Sequence, residues 1–135
     1  MTLVDSNVLL DLVAGEQEWT AWSKAQLESA AAQGPLLIND VIYAEISARF
    51  AAFEVLDAYL EDVEIDVAPI PRAALFLAGK IFLKYRASGG VRTGVLSDFF
   101  IGAHAAVLKI PILTRDVRRY RSYFPTVALI APETS

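Results

Sequence analysis

Residues 1–11 have the sequence MTLVDSNVLLD, in which a short apolar run stops at an acidic residue and a helical pattern follows. The run at residues 2–4 is typical of a buried strand, and the apolar residues of 7–13 recur at helical spacing. Asp5 therefore lies at the junction of a predicted strand and a predicted helix. In a parallel sheet, the carboxyl ends of the strands are where ligands bind.

The rest of the chain repeats this alternation of short apolar runs and helical segments. Further strands are predicted at residues 36–38, 64–67, 112–114 and 127–130. Helices are predicted at 17–33, 52–60, 71–86, 98–109 and 116–123, and another runs through 43–46 after the N-caps Asn39 and Asp40. A glycine-containing loop is predicted at 87–96. This order predicts a single α/β domain over residues 1–135, a three-layer sandwich around a mainly parallel sheet of about five strands.

The composition excludes several classes of protein. A chain of 135 residues, 55% hydrophobic and 21% charged, fits one domain with a core of its own. The absence of cysteine excludes disulfide scaffolds and thiol nucleophiles, and a single histidine argues against a zinc site. No uncharged stretch approaches the roughly 20 residues of a membrane span, and the acidic start is unlike a secretory signal. We therefore expect a cytoplasmic protein with no membrane partner.

The charge is distributed unevenly along the chain. The net charge is -4, but residues 1–67 carry 13 Asp and Glu against 2 Lys and Arg, whereas residues 68–135 carry 3 against 10. The acidic total argues at first against a nucleic-acid partner, because proteins that bind phosphate usually have a basic surface. The basic second half requires a separate explanation.

Four acidic residues stand out by their positions. Asp5 and Asp116 come at or just after predicted strand ends, and Asp98 is predicted to open a helix. N-capping explains any one of these three by itself. Glu45 lies inside the largely apolar stretch 41–46 and shares a helix side with Val41, Ala44 and Ala48, which we expect to be buried. A buried carboxylate is costly unless it is paired or binds a metal.

Convergence of these four acids would create a cation site. Clustered carboxylates repel one another, so they either hold protons through raised pKa values or bind a cation. Oxygen ligands without His or Cys favour Mg²⁺ or Mn²⁺. Such an ion at strand ends is suited to phosphoryl chemistry by a metal-activated water.

Four blocks of the chain resemble the signature of PIN-domain ribonucleases, and most closely that of the VapC-type toxins of bacterial toxin–antitoxin pairs. The blocks are VDSNVLLD at 4–11, VIYAEI at 41–46, SDFFIGAHA at 97–105 and LTRD at 113–116. Their order and spacing agree with the family over nearly the whole chain. Ser6 stands where members often have Thr, and like Thr it carries a hydroxyl.

The resemblance implies both an activity and a set of site residues. It implies catalytic, metal-binding acids at Asp5, Asp98, Glu45 and Asp116, of which Asp5 and Asp98 are the firmest ligands. It implies that Asn7 and Thr114 orient carboxylates or water. The implied protein is a Mg²⁺-dependent endoribonuclease that cleaves RNA, forms a homodimer and is silenced by a cognate antitoxin protein.

The arginines of the second half are the candidates for contact with RNA. Arg86, Arg92, Arg115 and Arg118 lie on or near the glycine-containing loop or beside Asp116, and Arg119 and Arg121 add charge to the same segment. A solvated basic face, or ion pairs with the acidic half, would explain them equally well. Setting aside the four implied metal ligands leaves 12 acids against 12 bases, so the charge of -4 describes an empty metal site.

The remaining polar and aromatic residues are expected to be structural. His104 is interpreted as a packed or partly exposed histidine without a catalytic role. Asp11 and Asp40 are interpreted as surface or capping residues. Ordinary core packing is favoured over a partner-binding groove for most of the aromatic residues Trp19, Trp22, Tyr43, Phe50 and Phe53.

Two other functions stay open at this level. The DSN sequence after a strand faintly resembles an aspartate-nucleophile phosphohydrolase, which would form an aspartyl-phosphate at Asp5. That chemistry requires a second Asp two residues later and a catalytic Lys, and position 7 is Asn. The other alternative is a non-catalytic module that binds nucleic acid or protein, in which the acids are caps and neither Mg²⁺ nor Mn²⁺ binds.

Overall fold

The protein folds around an all-parallel, five-stranded sheet, as given by a computed structural model that describes residues 1–15, 18–92 and 94–132. The strand order is β3-β2-β1-β4-β5, and all four neighbouring pairs are parallel. The strands are β1 (Thr2–Val4), β2 (Leu36–Ile38), β3 (Ile65–Val67), β4 (Ile112–Leu113) and β5 (Leu129–Ile130). The predicted α/β class with a mainly parallel sheet is confirmed.

Seven helices connect these strands in the described part of the chain. They are α1 (Ser6–Ala14), α2 (Thr20–Gln33), α3 (Asp40–Ser47), α4 (Phe53–Asp62), α5 (Arg72–Ala87), α6 (Leu96–Leu108) and α7 (Arg118–Tyr123). The strand order extends from β1 to β3 in one direction and then reverses to β4 and β5 on the other side of β1. Because crossovers between parallel strands are right-handed, this reversal places the later helices on the opposite face, which gives three layers.

The ends of several elements differ from the predicted ones. Helix α6 begins at Leu96, so Asp98 lies in its first turn and does not open it. The earlier start follows from the buried Val95, whose carbonyl accepts from the Phe99 N–H at 3.3 Å and so begins the helical hydrogen bonding before Asp98. Helix α7 begins after Val117 and leaves Asp116 outside it. Asp5 does cap α1, whereas neither Asp98 nor Asp116 is the N-cap of its helix. The predicted start of α2 at position 17 falls outside the described residues.

The core lies on both sides of the central strand β1 and its neighbour β4. Leu3 and Val4 of β1, and Ile112 and Leu113 of β4, are completely buried, as expected for parallel strands covered on both faces. Trp22, Tyr43 and Phe50 pack against this core, as predicted, but Phe53 is 66% exposed. Among the described residues, no helix combines the length and the apolar character that crossing a bilayer would require.

Candidate active site

The candidate site lies where the strand order reverses, between β1 and β4. The register pairs Leu3 with Ile112 and Val4 with Leu113, so the residues that follow the two strands emerge side by side. These residues are Asp5 after β1 and the segment 114–116 after β4. In open α/β sheets, ligands bind in the crevice at such a reversal.

Asp5 is buried, and donors from both strand ends and from α7 fix its carboxylate. Its Oδ1 accepts a hydrogen bond from the Ser6 backbone N–H at 2.8 Å. Its Oδ2 accepts from the hydroxyls of Thr114 and Tyr120, each at 2.8 Å. Burial raises the pKa of Asp5, and these hydrogen bonds lower it. The donors orient the carboxylate without bringing a positive charge to it.

Asn7 and Thr114 connect the two strand ends. Asn7 Nδ2 donates to Thr114 Oγ1 at 3.1 Å and lies 3.5 Å from Asp5 Oδ2, while Asn7 Oδ1 accepts from the Arg115 backbone N–H at 3.0 Å. Thr114 Oγ1 also accepts from the Asp116 backbone N–H at 3.1 Å. Both side chains therefore hold Asp5 and the segment after β4 in a fixed relation.

Glu45 approaches Asp5 from helix α3. The Ser6 hydroxyl donates to Glu45 Oε1 at 3.1 Å, so the residue after Asp5 contacts both acids. Partial burial of the carboxyl group raises the pKa of Glu45, as does the charge of Asp5, while hydrogen bonds from Ser6 and Ser97 lower it. Glu45 therefore lies within electrostatic range of Asp5.

The expectation that Glu45 shares a buried side of its helix is wrong. Ala44, Glu45 and Ala48 are exposed, and Ile42 and Ile46 form the buried side of α3. The helix packs through its two isoleucines because they bury more apolar area than the alanines do. Glu45 consequently projects from the edge of the packed surface toward Ser6.

Asp98 is coupled to all three of the other acids. Burial raises its pKa to about 7, together with the negative charges of Asp5, Glu45 and Asp116, while the charge of Arg119 lowers it. We call these four acids, Asp5, Glu45, Asp98 and Asp116, the carboxylate cluster. Near neutral pH the negative charges of this cluster repel one another and destabilise the fold. Binding of a proton or a cation relieves the repulsion.

The carboxylate cluster suits a hard divalent cation by its donor chemistry, although it does not form a closed cage. Within the described ranges, no three or more His, Cys, Asp and Glu side chains are arranged to hold a metal by themselves. Mg²⁺ usually keeps several waters and binds through one or two carboxylates together with substrate phosphates. An open, all-oxygen set of mutually repelling acids fits such a partly hydrated ion, and Mn²⁺ accepts the same ligands.

A cavity of about 590 Å³ opens beside the carboxylate cluster. Asp98 and Asp116 line it together with three arginines, Arg92, Arg118 and Arg119. Asp116 is an exposed residue of this cavity, and its Oδ1 lies 3.9 Å from Arg118 Nε. We call this space the arginine cavity. It places cationic side chains next to two of the four acids.

Two of the arginines considered for RNA contact lie elsewhere. Arg115 donates from Nε and Nη2 to Asp11 at 2.6 and 2.9 Å, and its guanidinium lies over the ring of Trp19. Asp11 is therefore a buried ion-pair partner, 5% exposed, and its interpretation as a surface or capping residue is wrong. Arg86 lines a different groove, on the outer side of α5, which is largely apolar.

Tyr120 is the site residue that the sequence analysis missed. Its ring is 1% exposed, and its hydroxyl donates to Asp5. Burial and the negative charge of Asp5 raise its pKa well above 10, so the phenol stays protonated and remains a donor. The available signal was an aromatic residue inside the charged run RRYR, which predicts that the ring faces inward.

His104 has the structural role that was predicted for it. The side chain is completely buried, and its Nδ1 lies 3.1 Å from Nδ2 of Asn39, which caps α3. Burial lowers its pKa, so the ring is neutral near pH 7. A neutral imidazole accepts from the amide through Nδ1 and thereby joins α6 to the end of β2.

Comparison with known protein families identifies the family of the chain. A family description of the PIN domain matches residues 2–124. The chain belongs to the PIN domain family. The resemblance seen in the four sequence blocks is thereby confirmed at the level of the family. No curated protein matches the chain significantly.

Solved structures share the same PIN fold. VapBC2 from Rickettsia felis, bound to a DNA fragment from their promoter, matches with a TM-score of 0.74 at 15% identity over 98% of each chain. VapBC-1 from nontypeable Haemophilus influenzae matches with 0.70 at 16% identity over 96% of each chain. A toxin–antitoxin complex from Klebsiella pneumoniae matches with 0.66 at 20% identity, over 95% of this chain and 96% of that chain. At these identities, the likeness is one of fold.

Proposed function

We propose that this PIN-family protein is a Mg²⁺- or Mn²⁺-dependent endoribonuclease and the toxin of a toxin–antitoxin pair. One observation carries the proposal: four acids that are distant in sequence meet at the reversal of the sheet, where burial, together with the charges of the other three acids, raises the pKa of Asp98 to about 7. Membership of the PIN family supports nuclease chemistry at this place. The four sequence blocks support the VapC-type assignment.

The side chains of the site have different roles in binding the ion. In this proposal, Asp5 and Asp98 are the principal ligands, and Glu45 and Asp116 add negative charge and hold water. A bound Mg²⁺ would supply an activated water and neutralise charge that develops on a phosphate. Asn7, Thr114 and Tyr120 keep Asp5 in one orientation, so that little ordering is needed when the ion arrives.

The arginine cavity provides the contacts with the RNA backbone. Arg92 and Arg118 are exposed at this cavity and are suited to phosphate binding. We leave Arg115 out of the RNA-binding set, because Asp11 already neutralises it. Arg86 is left out because it lines the groove on α5.

The aspartate-nucleophile alternative has less support than the nuclease. Asn7, which stands where that chemistry requires an acid, is bonded to Thr114 and Arg115. The non-catalytic module is tested by metal binding, since caps alone bind no Mg²⁺.

The proposed partners are RNA, a cognate antitoxin protein and a second copy of the chain, in the cytoplasm. The solved neighbours named above are VapBC or toxin–antitoxin complexes, which supports an antitoxin partner. Helix α5 exposes apolar side chains, with Phe76 69% and Leu83 65% exposed, and surfaces of this kind favour association. Light scattering of the purified protein distinguishes a monomer from a homodimer.

The decisive experiment compares RNA cleavage by the wild type and by Asp98→Asn. We expect the substitution to reduce Mg²⁺-dependent cleavage by on the order of 10³-fold, because several kcal/mol of charge stabilisation is lost with the ligand. Sequencing of RNA 5′ ends measures the cleavage, and single-stranded DNA of the same sequence tests the choice of substrate.

The matched control is Asp62→Asn, which makes the same change at an exposed residue that ends α4. This variant should cleave as the wild type does. Full activity of purified Asp98→Asn, or wild-type cleavage that persists in EDTA, would disprove the metal-dependent mechanism.

A further inference from the structure

Arg119 places an unpaired donor inside the arginine cavity. Its Nε is buried and has no hydrogen-bond partner among the described residues. A buried polar atom without a partner costs about 1–3 kcal/mol, and more when the group is charged. Native structures contain few such atoms, and the described residues of this chain contain one other, His104 Nε2, so each requires an explanation.

Arg119 differs from the other arginines near the site. Arg92 and Arg118 are exposed, whereas Arg119 is partly buried at the same cavity. Arg115 shows a structural pairing instead, in which Nε and Nη2 both bind the carboxylate of Asp11. Arg119 therefore lines the cavity, while the Nε of its guanidinium is buried beside it and left without an acceptor.

The position of Arg119 is fixed relative to the carboxylate cluster. The next residue in α7 is Tyr120, whose hydroxyl is bonded to Asp5 at 2.8 Å. The charge of Arg119 is also close enough to Asp98 to lower the pKa of that acid. One short helix thus fixes the backbone of Arg119 relative to the acids.

We propose that Arg119 anchors a backbone phosphate of the RNA substrate, its guanidinium turning into the arginine cavity on binding so that Nε and a terminal nitrogen donate to the non-bridging oxygens. This proposal rests on the proposed ribonuclease function and names the residue that seats the substrate at that site. A guanidinium presents its donors in a planar fork that matches phosphate geometry, and a phosphate oxygen supplies the missing acceptor for Nε. A role as counter-ion of Asp98 alone leaves Nε without a partner.

The test measures RNA binding under conditions that prevent cleavage. A short, fluorescently labelled single-stranded RNA is titrated with the protein in EDTA, and fluorescence anisotropy gives the Kd. We expect Arg119→Gln to raise the Kd about tenfold or more, as for the loss of a charge-assisted hydrogen bond. Circular dichroism verifies that the variant is folded.

Arg121→Gln is the matched control for charge. Arg121 is exposed and lies two residues further along the same helix, where side chains point to nearly the opposite side. This variant should change the Kd less than about twofold. Arg119→Lys keeps the charge but lacks the Nε donor, and we expect it to raise the Kd several-fold. It decides the question if Arg119→Gln does not fold.

A set of RNAs, each with one neutral methylphosphonate linkage, then locates the contact. The wild type should lose affinity strongly at one linkage, and Arg119→Gln should lose no further affinity at that linkage. Three results overturn the proposal. Arg119→Gln binds RNA as tightly as the wild type, or the losses of affinity from the substitution and from the methylphosphonate add up at every linkage, or the wild type binds no RNA.

Cleavage with Mg²⁺ is measured separately, so that the two proposals fail in different ways. Coupling between Arg119 and one linkage without any cleavage supports the anchor and contradicts the nuclease. Cleavage that Asp98→Asn abolishes, combined with normal RNA binding by Arg119→Gln, supports the nuclease and contradicts the anchor.

Discussion

Two buried carboxylates on one helix are stabilised in opposite ways. Asp5 caps α1 and is 4% exposed, and Asp11 lies within α1 and is 5% exposed. Asp11 accepts two hydrogen bonds from Arg115 and one from Ser23 Oγ at 2.6 Å, so a positive charge of the chain neutralises it. All the hydrogen bonds to Asp5 described above come from neutral donors. The negative charge of Asp116 raises the pKa of Asp5 further.

The two carboxylates differ in whether the chain itself supplies the compensating charge. The ion pair of Asp11 and Arg115 joins residues 104 positions apart, from the acidic and the basic halves of the chain. Both charges of this ion pair are therefore neutralised within the protein. The carboxylate cluster is left with excess negative charge, which a bound cation would relieve. The following substitutions test this contrast, from the largest expected effect to the smallest.

Removing the cation from the structural pair should have the largest effect. Arg115→Met leaves the buried Asp11 without its counter-ion, and we expect a loss of about 2–3 kcal/mol of unfolding free energy, since Arg115 is partly exposed. Urea denaturation at pH 7 in EDTA measures the loss.

Two variants serve as controls for that change. Arg118→Met removes an arginine whose side chain is 80% exposed and should alter stability by less than about 0.5 kcal/mol. Adding Asp11→Leu to Arg115→Met should recover part of the loss, because no buried charge is left unpaired. Equal losses for Arg115→Met and Arg118→Met would contradict the structural role of the pair.

Removing a charge from the carboxylate cluster should stabilise the protein without metal. Because the pKa of Asp98 is raised from 3.8 to about 7, the folded state holds this proton more tightly than the unfolded state does. The stability of the wild type should therefore fall as pH rises from about 4 to about 7. Asp98→Asn should be more stable than the wild type at pH 8 by about 1–2 kcal/mol, because water screens part of the repulsion.

Urea titrations in EDTA at pH 4 and pH 8 measure this difference. It should be much smaller at pH 4, where the acid is protonated in the folded state and only partly ionised in the unfolded state. Adding Mg²⁺ at about ten times its Kd should stabilise the wild type by about 1.4 kcal/mol, and Asp98→Asn by less. A difference that is independent of pH, or one of opposite sign, would show that the cluster does not carry uncompensated charge.

Removing one neutral donor from Asp5 should have the smallest effect. Tyr120→Phe deletes the hydroxyl that lowers the pKa of Asp5, and we expect a loss of about 0.5–1 kcal/mol at pH 8. The loss should shrink as the pH falls and Asp5 takes up a proton. Urea denaturation at both pH values measures it.

Tyr123→Phe is the control for this substitution. It removes a hydroxyl from the same helix and keeps a ring in contact with Tyr85 and Phe99. If both variants lose the same stability, or if the Tyr120→Phe loss does not depend on pH, the hydroxyl of Tyr120 has no special relation to Asp5.

The sequence predicted best those features that a short stretch of residues determines by itself. The apolar runs before Asp5 and before Thr114 predicted two strands that the structure confirms. The order of strands and helices was enough to predict a parallel sheet, since parallel strands require crossovers. The PIN resemblance followed from four blocks in order, and the family match confirms it.

The errors arose where burial, rather than local pattern, decides the outcome. Asp11 and Arg115 lie far apart in sequence, so nothing near Asp11 showed that a cation would be placed on it. The side of α3 that faces inward was misjudged, because its alanines gave no strong signal against its isoleucines. Tyr120 was missed because its hydroxyl meets Asp5 only in the folded chain, across 115 positions of sequence.

The sequence by itself determined the class of fold and the family, and it singled out the four acids proposed for the site, because strand periodicity and short-range spacing are local properties. Only the tertiary structure decided which charges are neutralised within the chain. Coulomb energy depends on distance and burial, and both are set when segments more than 100 positions apart come together. For that reason Asp11 and Asp5, which look alike in the sequence, are in one case a completed ion pair and in the other a member of a cluster with excess negative charge.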